Sequence, residues 1–225
     1  MTATPYRRDR LDAVIGWHLG PTVARIDAKD LADRLVTPRV VKRPTGVRPR
    51  PYSDDYAALV SELVGDEGRN ALIVADVTAA VREGHRCLVL SDRVGHARTL
   101  ARLLKEEGVR AATLHGGMGA KDRVRVVGQL GSGALRAVTA TCSLVGEGFD
   151  CPALDRLFLA TPVSWAGRVR QYVGRIARTA PGKVDAVVTD YADDHPMLWS
   201  AWGKRAAVYR ADGLRIVTVP TPEAA

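Results

Sequence analysis

Short apolar runs and amphipathic stretches alternate along the chain after about residue 70. Five apolar runs bounded by polar residues are typical of strands that are buried on both faces: 86–92, 109–116, 136–140, 156–162 and 184–190. Amphipathic helices are predicted at 71–84, 96–108, 120–130 and 164–178, with a last helix that runs to about residue 210. This alternation predicts an α/β fold, in which helices cover both faces of a parallel sheet in three αβα layers.

The loops that follow three of these strands are polar or rich in glycine. Ligands of open parallel sheets bind beyond the carboxyl ends of the strands, so functional residues are expected in these loops. Ser91, Asp92 and Arg93 follow the residues RCLVL of the first run, His115 to Gly117 follow AATL of the second, and TCSLVGEGFDCP (141–152) follows the third.

The helix predicted over 164–178 carries a stripe of cationic side chains. Arg168, Gln171, Arg175 and Arg178 stand at i, i+3, i+7 and i+10, which places them along one side of a helix. The opposite side is apolar and carries Val169, Tyr172, Val173 and Ile176. Because like charges repel at this spacing, we expect an anion to bind the stripe, and a solvated basic face stays open as the alternative.

Composition and charge agree with a folded protein that has an anionic partner. The 225 residues are 46% hydrophobic and 26% charged, values that exclude collagen-like and wholly disordered chains. Residues 1–50 hold eleven Lys and Arg against five Asp and Glu, and so carry +6 of the net charge of +8. This basic segment suggests a contact with an anionic partner such as nucleic acid, although a solvated linker is the alternative. The proline-rich stretch 37–53 is predicted to be a linker or a domain edge.

The remaining composition argues against several other classes. Cys87, Cys142 and Cys151 form no CxxC pair and leave one thiol over in any disulfide scheme, which indicates a reducing compartment. The histidines lack the spacing of metal ligands, so no metal site is expected. No apolar run is long enough to span a bilayer, and we therefore expect no membrane partner and a cytoplasmic location.

Several motifs occur in an order that points to a family: TATP, LVLSDR, LHGGM, ATCSLVGEGFDCPALDRLFLATP and QYVGRIAR. Together they resemble motifs III to VI in the C-terminal half of superfamily 2 DNA helicases of the phage or restriction-system type. The resemblance implies that residues 39–225 form the second RecA-like domain. Residues 1–38 would then be a remnant of the first RecA-like domain, with motif III and its following helix, plus a linker.

The resemblance also assigns roles to individual residues. In motif VI, Gln171, Arg175 and Arg178 would be catalytic, with the arginines reaching phosphates of ATP held by a first domain. In motif V, Gly148 and Asp150 would contact the nucleotide, with Asp150 touching its ribose or the motif VI arginines. The positions implied to line the nucleic-acid track are Arg93, His115, Gly116, Thr141 and Ser143. For His115 a role as a polar cap of the loop remains equally open. Thr2, Ala3 and Thr4 match the tripeptide that couples the state of ATP to strand binding.

One part of the family pattern is absent from these 225 residues. There is no GxxxxGK[ST], and no DExx carboxylate pair follows a hydrophobic strand, so these residues offer no binding site for the β- and γ-phosphates and Mg²⁺. We therefore expect ATP with Mg²⁺ to be bound jointly by this chain and a separate chain that carries the first RecA-like domain. The nucleic acid is expected to be DNA. Without its partner, this chain is expected to be inactive. The alternatives are a non-catalytic nucleic-acid-binding or regulatory module, and a misassigned start within one longer protein.

Overall fold

The structure is a computed structural model that describes residues 17, 18, 20, 35–49, 55–146, 149–163 and 166–221. The chain divides into two compact units, Met1–Leu35 and Val36–Ala225, and the second is described below. Thr2, Ala3 and Thr4 lie outside the described residues, so the interpretation of residues 1–38 as a remnant stays a prediction.

The second unit is built on one seven-stranded sheet. The strands in chain order are β1 (Arg39–Pro44), β2 (Cys87–Ser91), β3 (Ala111–Leu114), β4 (Ala137–Thr141), β5 (Arg156–Leu159), β6 (Val187–Ala192) and β7 (Ile216–Thr218). Their spatial order is β3-β4-β2-β5-β6-β1-β7, and every neighbouring pair is parallel. The carboxyl ends of all the strands therefore lie along one edge of the sheet, as predicted.

Among the described residues of this unit, seven helices connect the strands and cover the sheet. They are α1 (Tyr56–Gly65), α2 (Glu67–Arg82), α3 (Val94–Glu106), α4 (Ala120–Ser132), α5 (Cys142–Gly146), α6 (Ala166–Ile176) and α7 (Pro196–Ala211). Within this described set, none combines the length and apolar character that crossing a bilayer requires.

Alternation along the buried strands creates a core on each face of the sheet. Leu88 and Leu90 of β2 point into one core, which α4, α6 and α7 complete with residues such as Leu130, Tyr172 and Tyr209. Cys87 and Val89 of β2 point into the other core. There they pack against the apolar faces of α2 and α3, which contribute Ile73, Val77, Leu100 and Leu104. The prediction of a three-layer parallel α/β fold is confirmed.

Two elements differ from the pattern-based predictions. The proline-rich stretch 37–53 contains β1, because Arg39–Pro44 finds a parallel partner on each side, β6 and β7. The helix predicted at 71–84 begins at Glu67, where the Asp66 carboxylate accepts a hydrogen bond from the Arg69 amide at 2.7 Å. Asp66 thus caps the new helix and separates it from α1.

The three cysteines are buried free thiols. Burial raises the pKa of Cys87 and of Cys142, which keeps both thiols protonated at neutral pH.

Candidate functional site

The loops after β2, β4 and β5 meet at the carboxyl edge of the sheet. The Asp92 amide donates to the Thr161 hydroxyl at 2.8 Å, which joins the loops after β2 and β5. The Asp92 side chain faces the Cys142 thiol at the start of α5 and, after burial, is the main cause of the raised pKa of Cys142. The parallel sheet therefore brings together segments that are distant in sequence.

A buried polar chain fixes the loop after β2. The Arg93 amide donates to the Ser91 hydroxyl at 3.1 Å, and Ser91 lies 3.0 Å from Nδ1 of His96. On its other side, Nε2 of His96 lies 2.8 Å from the amide oxygen of Asn70. Arg93 is thereby held just before α3 with an exposed side chain, and its guanidinium has no hydrogen-bond or ionic partner among the residues described.

His96 makes stability dependent on pH. Burial, followed by the nearby Arg69 charge, lowers the pKa of His96 to about 3 from 6.5. The folded state therefore binds this proton less readily than the unfolded chain, and stability is lost as the pH falls below 6.5 toward 3.

We expect the free energy of unfolding to fall by about 2 kcal/mol between neutral pH and about pH 5 through this residue alone. Urea denaturation of the wild type and of His96→Gln at both pH values measures this loss. The variant should be less stable at neutral pH but should lose less on acidification. Equal losses in the two proteins would show that His96 is not the cause.

The other residues predicted to contact nucleic acid lie in the loop after β3, at the end of β4 and in α5. His115 is half-buried and its Nε2 lies 3.1 Å from Nη2 of Arg98, while Gly116 is exposed in the turn that follows. Thr141 is buried, whereas Ser143 is exposed and its hydroxyl donates to the Thr141 hydroxyl at 3.4 Å. Of this hydroxyl pair, only Ser143 is presented to solvent.

Helix α6 separates an apolar face from a cationic one. Val169, Tyr172 and Ile176 are buried, and the Tyr172 hydroxyl donates to the Cys142 carbonyl at 2.9 Å, which ties α6 to α5. On the other side Arg168 is exposed and Gln171 and Arg175 are half-buried. The predicted separation of the two faces is present.

The helix ends at Ile176, two residues before Arg178, so the prediction that all four polar residues lie on one helix was wrong in its last member. At the end of the helix and just beyond it, the Ala177 carbonyl accepts from the Val36 amide, and the Ile176 and Arg178 carbonyls accept from the Lys183 ammonium. Arg178 instead forms an ion pair with Asp150, at 2.5 Å. Gly148, the other motif V residue, lies outside the described residues.

The charges around α6 do not balance. Burial lowers the pKa of Arg175, the Arg178 charge lowers it further, and Asp150 opposes both effects. Within the described part of the chain, Arg168 and Arg175 have no hydrogen-bond or ionic partner. Asp150 pairs with Arg178 and acts on Arg175, whereas the Asp92 carboxylate and the Arg168 charge both act on the Cys142 thiol, so three guanidiniums stand against two carboxylates. The group is thus left with a surplus of positive charge that an anion can neutralise.

Comparison with known proteins places this arrangement in a family. The family described as the helicase conserved C-terminal domain matches residues 67–180, just over half of the chain. The chain belongs to this family. The match includes β2 to β5, α6 and the Asp150–Arg178 ion pair.

Relatives of this helicase C-terminal domain include larger proteins. The probable helicase D10 of Escherichia phage T5 is 28% identical over 145 residues, which cover 64% of this chain and 32% of D10. The crystal structure of T4 UvsW matches with a TM-score of 0.68 at 16% identity, over 80% of this chain and 40% of that chain. S. cerevisiae Dbp5 bound to RNA and ADP BeF3 matches with a TM-score of 0.61 at 16% identity, over 99% of this chain and 51% of that chain.

These matches confirm the predicted likeness to the C-terminal half of a superfamily 2 helicase, and its RecA-like fold. The helicase C-terminal domain spans about a third of D10 and about half or less of the two solved chains.

Several contributors to the site were not predicted. Asn70 and His96 support Arg93 from within the core, and Thr161 anchors the Asp92 amide. Lys183 binds the end of α6. Pro181 and Gly182 indicated that a helix ends before them, since proline and glycine commonly follow a helix end, but they gave no signal for the Lys183 contact. Among the described residues of the helicase C-terminal domain, no cluster of His, Cys, Asp and Glu could hold a metal ion.

Proposed function

We propose that this domain is the second half of an ATP-dependent superfamily 2 DNA helicase or translocase, and that it supplies arginine fingers to ATP held by another domain. The observation that carries the proposal is the charge surplus on α6. Arg168 and Arg175 have no anionic partner among the described residues, and Asp150 is the single carboxylate paired within the group.

Guanidinium chemistry suits the phosphoryl oxygens of ATP. Arginine is permanently charged and planar, and it binds phosphate through two parallel hydrogen bonds. In this proposal Arg175 and Arg178 contact the transferred phosphoryl group and Gln171 contributes a polar contact beside them. Asp150 holds Arg178 before the nucleotide arrives and then contacts either the ribose or the arginines.

The rest of the nucleotide site must come from outside the 225 residues. Because these contain no GxxxxGK[ST] and no DExx pair at the end of a hydrophobic strand, the Mg²⁺ and the β- and γ-phosphates need a first RecA-like domain. We propose that a separate chain carries that domain, so that ATP and Mg²⁺ are bound jointly by the two.

The nucleic-acid track in this proposal follows the loops after β2, β3 and β4. The exposed Arg93 guanidinium and the exposed Ser143 hydroxyl are suited to phosphate contacts, which position a strand without reading its bases. We assign the buried Thr141 to holding the Ser143 hydroxyl, and we place Gly116 and His115 beside the strand. The resemblance of the motifs to those of phage and restriction-system DNA helicases favours DNA, whereas the Dbp5 structure contains RNA.

Phosphate release tests the proposal. The purified chain with ATP, Mg²⁺ and single-stranded DNA should show negligible turnover, because it lacks the phosphate cradle. Turnover should appear when a chain that carries a Walker-type first domain, encoded beside this one, is added. Robust turnover by the chain alone would refute the proposal. DNA binding that weakens with salt, without rescue by such a partner, would instead support a non-catalytic module.

A further inference from the structure

The Lys183 ammonium is enclosed by main-chain carbonyl oxygens. Its Nζ lies 2.5 Å from the oxygens of Leu154 and Ile176, 2.7 Å from that of Arg178 and 3.2 Å from that of Pro152. An ammonium has three N–H groups, so at least one proton is shared between two of these four acceptors. We refer to the four carbonyls as the carbonyl cage.

The cage joins two segments that are separate in sequence. Pro152 and Leu154 follow Asp150 in the loop after β4 and α5, whereas Ile176 ends α6 and Arg178 lies just beyond it. The last carbonyls of a helix lack intrahelical partners and attract a cation, which explains why a lysine binds at this end. One ammonium therefore connects the two segments that carry the Asp150–Arg178 ion pair.

We propose that Lys183 is a positioning residue that holds the end of α6 against the loop after α5, and so sets the placement of Arg178 relative to Asp150. The functional part of this inference rests on the proposed function, in which Arg178 contacts ATP. The positional part stands on the carbonyl cage and the ion pair alone.

The charged groups near Lys183 do not replace the ammonium. The Asp155 carboxylate accepts from the Arg86 amide and lies 3.0 Å from Nδ1 of His85, and the Asp185 carboxylate pairs with Arg156. The Cys151 thiol is the remaining titratable neighbour. Because Arg156, the cation near Lys183, is already paired with Asp185, loss of the Lys183 charge leaves the carbonyl cage without a compensating cation.

The cage is expected to weaken in mild alkali. Burial lowers the pKa of Lys183 to about 8 from 10.5, with Arg156 adding to this effect and Asp155 and Asp185 opposing it. Above that pH the amine has one donor fewer and a lone pair that faces carbonyl oxygens. The folded state binds this proton less tightly than the unfolded chain, so the contribution of Lys183 to stability rises between pH 8 and 10.5. Because stability does not fall over this pH range, a change in the placement of Arg178 there is distinguishable from unfolding.

Carbon-detected NMR of the full chain with ¹³C,¹⁵N-labelled arginine tests the positioning directly. Arg178→Lys assigns the Arg178 Cζ–Nε signal, and Asp150→Asn gives its position without the ion pair. We expect Lys183→Met to move the signal to the Asp150→Asn position and Lys183→Arg to keep it near the wild-type position. Lys105→Met, at an exposed lysine of α3, is the matched control and should change nothing.

An unmoved Arg178 signal in a folded Lys183→Met variant would overturn the proposal. Should that variant fail to fold, titration of the wild type decides: the signal should move between pH 7 and 9 in the wild type but not in Lys183→Arg. A signal that stays still in both would equally overturn it.

Steady-state turnover with the partner chain and DNA tests the functional part. We expect Lys183→Met to lower kcat roughly 10²-fold with little change in KM for ATP, because a small misplacement of a catalytic group has an effect of this order. Lys183→Arg should recover most of the loss. A moved NMR signal with unchanged kcat would refute the functional part. A moved signal with no reconstituted turnover from wild type would support the positioning and count against the proposed function.

Discussion

Arg175→Ala and Arg178→Ala are each expected to lower reconstituted ATP turnover by roughly 10³-fold, while binding to the partner chain and to DNA stays intact. An arginine finger stabilises the charge that develops on the transferred phosphoryl group and contributes a factor of about 10³ to 10⁵. Both side chains are half-buried beside Asp150 rather than packed in the core, so their truncation should leave the fold unchanged. Phosphate release under saturating ATP measures the effect.

Arg170→Ala is the matched control for these two variants. Arg170 lies on the same helix, but its guanidinium binds the Asp212 carboxylate just after α7, with Nε at 2.9 Å from one oxygen and 3.0 Å from the other. We expect its removal to change turnover by less than about threefold, since the group points away from the cationic cluster. Equal losses in Arg170→Ala and Arg175→Ala would mean that α6 acts through its overall stability and not through a catalytic arginine.

The architecture could be predicted from the sequence wherever a strand is buried on both faces. Strands such as β2 and β4 have mainly apolar sequences without charged residues, CLVLS and AVTAT, and every residue in them is buried. β1 could not be predicted in this way, because RVVKRP is half basic and only Val40 is fully buried. This segment forms a strand because β6 and β7 provide hydrogen-bond partners on both sides. These partners are distant in sequence, so the local pattern does not indicate them.

The candidate site was predictable to a similar extent. Helical periodicity was sufficient to place Arg168, Gln171 and Arg175 on one face of α6. The proximity of Asp150 to the motif VI arginines came only from the family resemblance, because no periodicity links a loop residue to a residue beyond a distant helix. The carbonyl cage of Lys183 was not predictable, since its acceptors are main-chain atoms that every residue possesses.

The second large expected effect is a loss of stability when a buried ion pair is broken. Two consecutive carboxylates after β6, Asp193 and Asp194, allow the comparison, because each pairs with an arginine but only the first pair is buried. Asp193 binds Arg69 with both side chains at most 1% exposed, and it also accepts from the Thr45 hydroxyl at 2.7 Å. Asp194 binds Arg48, whose side chain is 81% exposed.

Asp193→Asn is expected to lower the free energy of unfolding by about 3–5 kcal/mol, because it leaves the Arg69 charge buried without its counter-charge. The Ala160 carbonyl, 2.6 Å from Arg69, is neutral and cannot replace that charge. Asp194→Asn should lower stability by less than about 1 kcal/mol, since water already screens the exposed pair.

Urea denaturation of both variants, with unchanged m-values, measures the difference. Arg69→Met combined with Asp193→Asn should recover part of the loss, because the buried charge is then gone together with its partner. The buried pair connects α2 and the ends of β1, β5 and β6, so this recovery would show that the carboxyl edge depends on charge balance and not on the ion pair itself. Similar losses for Asp193→Asn and Asp194→Asn would contradict this, since burial would then have no influence on what each carboxylate contributes.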